Sequence, residues 1–182
     1  MEDRKILKQH LGQLESYFHG TSSGVDPLIC YLNAPVLITP SSINTVSLPA
    51  PSEHFHLFLL DSQQPRSTGQ LVSWFLAQCE DNNYFHRIEA EFIPLVQEAI
   101  ELLLTSDWEA LLENMHHISW FQFKYFEPMI PSTLRNVWLQ GLSSDWFKLK
   151  LCGAGGGGFF LGITNDLPRL QQEIPFVLSL RL

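Results

Sequence analysis

The sequence predicts an α+β fold in which a mostly antiparallel sheet is layered with helices, and three observations predict it. Strand-like runs lie towards both ends of the chain, and helical periods fill the middle. No internal repeat or low-complexity linker divides the 182 residues, which suffice for one well-buried domain spanning residues 1–182. Apolar residues make up 45% of the chain and charged residues 16%, a globular composition with an apolar bias that argues against disorder.

The elements follow in order. Residues 3–18 read as an amphipathic helix, with Ile6, Leu7, Leu11, Leu14, Tyr17 and Phe18 on one side and Lys5, Lys8, Gln9 and Glu15 on the other. A polar, turn-rich stretch follows from His19. Pro27 suits the first position of a short helix reaching Leu32, which makes Asp26 its natural cap. Residues 35–38, 43–48 and 55–61 read as strands, separated by Pro40-Ser41-Ser42 and Pro49-Ala50-Pro51. The last of these is apolar on both faces and is therefore expected at the centre of the sheet.

A helix carrying Leu71, Val72, Phe75 and Leu76 opens at Arg66-Ser67-Thr68. Two long helices are expected over 82–104, kinked at Pro94, and 107–126, capped by Ser106 or Asp107. Another covers 132–140, with Gly141 as its stop. The tail reads as a strand over 147–151, a glycine run, a strand over 159–163, a helix near 167–173 and a last strand over 176–182.

Charge and cysteine usage narrow the function. The formal charge is −8, and the one adjacent basic pair, Arg4-Lys5, sits beside Glu2 and Asp3, so a nucleic-acid surface is disfavoured. Cys30, Cys79 and Cys152 are odd in number and widely spaced, as expected of reduced thiols in a cytoplasmic protein. The charged N-terminus lacks the apolar core of a signal peptide, and no apolar run is long enough to span a bilayer, so no membrane association is expected.

Single residues are weak guides. His54 and His56 share a strand face but lack the further ligands a zinc site needs. His116 and His117 diverge on a helix. Trp108, Trp120, Phe121, Phe123, Tyr125 and Phe126 read as packing, and Cys152 as a small buried residue with no activating neighbour. Asp26 reads as a cap or as an acidic group held among hydroxyls. Five glycines occur within Gly153-Ala154-Gly155-Gly156-Gly157-Gly158, between two strands. Such a run either cradles phosphate with its amides or makes a tight connection under another element.

Three segments together carry a resemblance. His19-Gly20-Thr21-Ser22-Ser23-Gly24-Val25-Asp26 resembles the substrate-side motif of mevalonate kinases in the GHMP kinase superfamily, and Cys152 to Gly158 resembles that superfamily's third, glycine-rich motif. Asp61-Ser62 with Pro65-Arg66-Ser67-Thr68 is similar to a stretch that opens a helix facing the active site. The resemblance implies the ferredoxin-like C-terminal domain of these kinases and transfer of the γ-phosphoryl of ATP, with Mg2+, to the hydroxyl of mevalonate. Asp26 is then the catalytic carboxylate. His19, Gly20, Thr21, Ser22, Ser23, Arg66 and Thr68 surround the substrate. Gly153, Ala154, Gly155, Gly156, Gly157 and Gly158 support the phosphate loop without being its main cradle.

The same resemblance implies an N-terminal half that carries the main phosphate-binding motif, a lysine paired with the aspartate and the magnesium ligands. None of these is found here. The expectation is therefore a C-terminal portion of a mevalonate-kinase-like protein, inactive alone, pairing with such a half or forming a homodimer. Phosphomevalonate kinase, diphosphomevalonate decarboxylase and a non-catalytic ligand-binding or assembly domain are the alternatives.

Overall fold

The computed structural model describes residues 4–20, 22–50, 52–65 and 68–180, apart from the side chains of His19 and Thr68. The chain divides into two compact units, Met1–Leu48 and Pro49–Leu182.

The first unit contains α1 (Arg4–His19), α2 (Val25–Leu32) and a hairpin of β1 (Val36–Ile38) and β2 (Ile43–Thr45). The hairpin pairs Val36 with Thr45 and Ile38 with Ile43. Its turn is closed by Thr39, whose N–H donates to the Ser42 carbonyl at 2.8 Å and whose Oγ1 accepts from the Ser42 N–H at 3.0 Å. Arg4 ties α1 to the hairpin through the Ile43 carbonyl, and Lys5 does so through that of Pro40. The predicted apolar stripe of α1 is not what this unit buries. Leu14, Tyr17 and Phe18 are exposed, whereas Gly12 is buried against Gly24. Helix α2 contributes Leu28, which is fully buried.

The second unit is a four-stranded antiparallel sheet covered by helices, as the sequence predicts. Its order is β4 (Phe147–Leu151), β5 (Phe159–Thr164), β3 (His56–Asp61), β6 (Val177–Ser179). Strand β3 lies inside, pairing with β5 from His56↔Thr164 to Asp61↔Phe159 and with β6 on its other edge. Its Phe58 faces Gly162, where a Cβ would fall 2.1 Å from the ring. His54 precedes the strand, so the pair with His56 is not a strand pair.

The helices are α3 (Thr68–Gln78), α4 (Asn82–Arg87), α5 (Ile93–Thr105), α6 (Trp108–Tyr125), α7 (Arg135–Ser143) and α8 (Leu167–Glu173). The expected helix over 82–104 is interrupted by a π-helical turn, Ile88–Phe92, with the Ile93 N–H bonded back to the Ile88 carbonyl. Pro94 then sits in the first turn of α5, where its missing N–H costs nothing, so the break falls before the proline. Asp107 caps α6 by accepting from the Ala110 N–H.

Gly141 is not the helix stop. It lies inside α7, and a Cβ there would meet the Phe147 ring at 2.9 Å. The core joins Phe58, Phe121, Trp138, Phe147 and Phe160, all at most 2% exposed. Of the aromatic cluster in α6, Phe121 and neighbouring Phe126 are core. Trp120 stays at the surface under the Lys124 ammonium, 4.6 Å from its ring centroid. Two buried polar side chains are paired inside this core, whereas Asn114 Oδ1 and Ser119 Oγ have no partner among the described residues. The Trp138 indole donates to the Ser119 carbonyl, and the Lys148 ammonium donates to the carbonyls of Gly141 and Ser144.

Candidate functional site

In the first unit the loop after α1 is held by side chains. The Ser16 hydroxyl donates to the Gly12 carbonyl at 2.7 Å and accepts the Ser22 N–H at 3.0 Å. The Ser22 hydroxyl donates to a Glu15 carboxylate oxygen and accepts the Gly24 N–H at 3.0 Å. Ser23 accepts from the Val25 N–H. Gly24 then turns with φ +73° against α1, where a Cβ would lie 2.1 Å from the Lys8 carbonyl oxygen. Only glycine meets both demands there.

This geometry corrects the expected role of Asp26. Gly24 occupies the cap position in a left-handed conformation, and α2 starts at Val25. Asp26 therefore lies within the first helical turn. Its side chain is exposed and has no hydrogen bond or ion pair among the described residues. Its local structural role is small, and its functional reading has no capping role to compete with.

Other assigned residues stand as follows. His19 ends α1, and Gly20 has φ +81° with open space around its α-carbon. Thr21 and Arg66 lie outside the described residues, and Thr68 begins α3. Ser22 and Ser23 line an open cleft of about 620 Å³ between α1 and the hairpin, along with Lys8, Ser16 and Thr39; Asp26 is not on its wall. Sequence reasoning missed Gly12, Glu15 and Ser16. The available signal was a glycine inside a helical period, which marks a close backbone approach.

In the second unit the structure brings together two of the three resembling segments. The Ser62 N–H donates to the Gly158 carbonyl at 2.9 Å, and the Gly158 N–H donates to the Gln64 carbonyl at 3.0 Å. A Cβ on Gly157 would meet the Pro65 carbonyl oxygen at 2.5 Å. On the other side, the Gly156 N–H donates to the Met129 carbonyl at 2.7 Å, and a Cβ on Gly155 would lie 2.3 Å from that oxygen. Gly153, Gly155, Gly156 and Gly158 all have positive φ.

Two of the loop's amides are thus spent within the protein. Cys152, expected to be buried, is partly exposed. Next to it, burial pushes the Lys150 amine below the usual lysine range, with Cys152 opposing that shift. Among the described residues no three His, Cys, Asp or Glu side chains form a metal-binding group. No helix among them is long and apolar enough to cross a membrane.

No family model matches the sequence, and no curated protein matches it. Solved structures do. The chain is similar to L. major mevalonate kinase in complex with R-mevalonate, at 18% identity and a TM-score of 0.65, covering 91% of this chain and 54% of that one. It is also similar to Streptococcus pneumoniae phosphomevalonate kinase in complex with phosphomevalonate and AMPPNP, at 15% identity and a TM-score of 0.57, covering 76% and 43%. The chain spans about half the length of these structures. Its fold is that of the GHMP kinases.

Proposed function

We propose that this chain is the C-terminal portion of an ATP-dependent small-molecule alcohol kinase, of the mevalonate kinase kind. Its role in the reaction is to supply Asp26 to the acceptor hydroxyl. The observation that carries this reading is the exposed, unengaged Asp26 carboxylate in the first turn of α2, directly after a loop locked by Ser16, Ser22 and Gly24, in a chain with a mevalonate-kinase-like fold. A carboxylate so placed accepts or orients the hydroxyl proton as oxygen attacks phosphorus, a role that asks for position more than for covalent chemistry.

On this reading Ser22 and Ser23, with His19, Gly20, Thr21, Arg66 and Thr68, surround the substrate. The run from Gly153 to Gly158 braces the phosphate loop, consistent with the inward commitment of its Gly156 and Gly158 amides. ATP supplies the phosphoryl group, and magnesium neutralises its charge. The metal is expected to draw its protein ligands from an N-terminal half that this chain does not include, so residues 1–182 alone transfer no phosphoryl group. The exposed Ile6, Leu14, Tyr17 and Phe18 of α1 support pairing with such a half, or with a second copy. The thiols of Cys30, Cys79 and Cys152 suit a cytoplasmic setting.

The test supplies an N-terminal mevalonate-kinase half in trans with ATP and magnesium. Mevalonate, phosphomevalonate and diphosphomevalonate are each offered as acceptor. Phosphorylation of mevalonate that is lost in Asp26→Asn supports the reading. Turnover of only a phosphorylated acceptor moves the assignment to a related enzyme, and equal product from wild type and variant removes Asp26 from the chemistry.

A further inference from the structure

We propose that the second unit binds an uncharged, compact apolar molecule carrying one hydrogen-bond acceptor, in a cavity of about 410 Å³ beside the glycine loop. The volume is in the range of small-molecule sites. Its walls come from α3 (Val72, Phe75), the π-helical turn and the residue after it (Ile88, Phe92, Ile93), and the loop itself (Ala154). No ionisable side chain among the described residues lines it, so a charged ligand would lose its hydration without compensation from these walls. The extra residue in the π turn brings Ile88, Phe92 and Ile93 to one wall, and such turns frequently mark functional sites.

Among the described wall residues one side chain is polar. Gln122 on α6 is 4% exposed, and its Oε1 accepts the Leu151 N–H at 2.9 Å, which fixes the amide plane. Its Nε2 has no hydrogen bond among the described residues. An oriented amide donor that opens onto an otherwise apolar cavity is a recognition group awaiting an acceptor. Water is a poor alternative occupant, because each buried water needs two to four polar partners and these walls offer few. Val72 and Ile93, 41% and 43% exposed, mark the mouth.

The cavity also touches what holds the loop. Met129 lines it, and the Met129 carbonyl is the acceptor for the Gly156 amide. Occupancy therefore bears on the conformation of residues 153–156. That this adjusts phosphoryl transfer rests on the function proposed above; binding itself does not, since it requires neither ATP nor a second half.

The test is titration of the isotope-labelled 182-residue chain with 1-tetralone, a bicyclic ketone, and with tetralin, its hydrocarbon counterpart, followed by amide NMR. Both are expected to give saturable shifts at Phe92, Gly153 and Ala154. The ketone should bind roughly threefold to tenfold tighter, the worth of one neutral hydrogen bond. Val72→Trp, a change at an exposed helix position, should abolish both by filling the mouth. Gln122→Met should remove the preference for the ketone. Absence of saturable shifts at about 1 mM, where weak small-molecule complexes still form, overturns the proposal, as do shifts that persist unchanged in Val72→Trp. Equal affinity for the two probes overturns the acceptor requirement.

Discussion

The segment from Ser22 to Gly24 in the first unit is held by side chains, with the hydroxyls of Ser16, Ser22 and Ser23 accepting from the N–H groups of Ser22, Gly24 and Val25. The segment from Gly153 to Gly158 in the second unit is held by its own backbone. Its amides and carbonyl pair with Met129, Gln64 and Ser62, and no side chain takes part in those bonds. The first arrangement presents an exposed carboxylate, Asp26, in the helical turn that follows a loop whose shape is fixed elsewhere. The second presents main chain at close quarters and nothing reactive. A loop fixed by hydroxyls should tolerate substitution gradually, and one fixed by the absence of side chains should fail abruptly.

The largest effects are expected where the two loops coincide, at glycines touching backbone carbonyls. Gly24→Ala and Gly155→Ala each place a methyl carbon within 2.1 Å and 2.3 Å, respectively, of a carbonyl oxygen at positive φ. Each should cost about 3 kcal/mol in urea unfolding, from left-handed strain plus overpacking. Equal tolerance of both would break the claim that these contacts fix the loops.

Ser16→Ala probes the side-chain mode. It strips the Ser22 amide of its acceptor and should cost about 1–2 kcal/mol, with faster amide exchange confined to residues 20–24. Spread of that exchange into the second unit would contradict the separation drawn here. Gly158→Ala is the control. Its Cβ meets nothing within 4 Å, so only the left-handed strain remains, about 1 kcal/mol by equilibrium unfolding. A cost as large as that of Gly155→Ala would show that strain, and not contact, dominates the second loop.

Much of this was legible in the sequence because it depends on local period. The helices over α1, α3 and α6 follow apolar spacing, and β3 shows its central place by being apolar on both faces. Other features depend on distant partners. Gly141 looks like a helix stop, and only the Phe147 ring packed on it shows why a glycine stands inside α7. Asp26 before Pro27 has the form of a cap, but the approach of Gly24 to Lys8 moves the helix start back and frees the carboxylate. Pro94 announces a break without revealing that the turn before it becomes π-helical. Of the candidate site, the sequence marks out the three resembling segments. It does not mark out their supports, Glu15 and Ser16 on one loop and Met129 on the other, because an ordinary serine, glutamate or methionine gives no sign of what it will face.

The central claim is that Asp26 acts chemically and not structurally. The direct measurement is Asp26→Asn read two ways, by urea unfolding of the chain alone and by mevalonate phosphorylation with an N-terminal half supplied. Unfolding should move by no more than about 0.5 kcal/mol, since the carboxylate is exposed and unengaged, while the rate falls about 100-fold or more with loss of the proton acceptor. A variant that loses stability but keeps its rate would contradict the account.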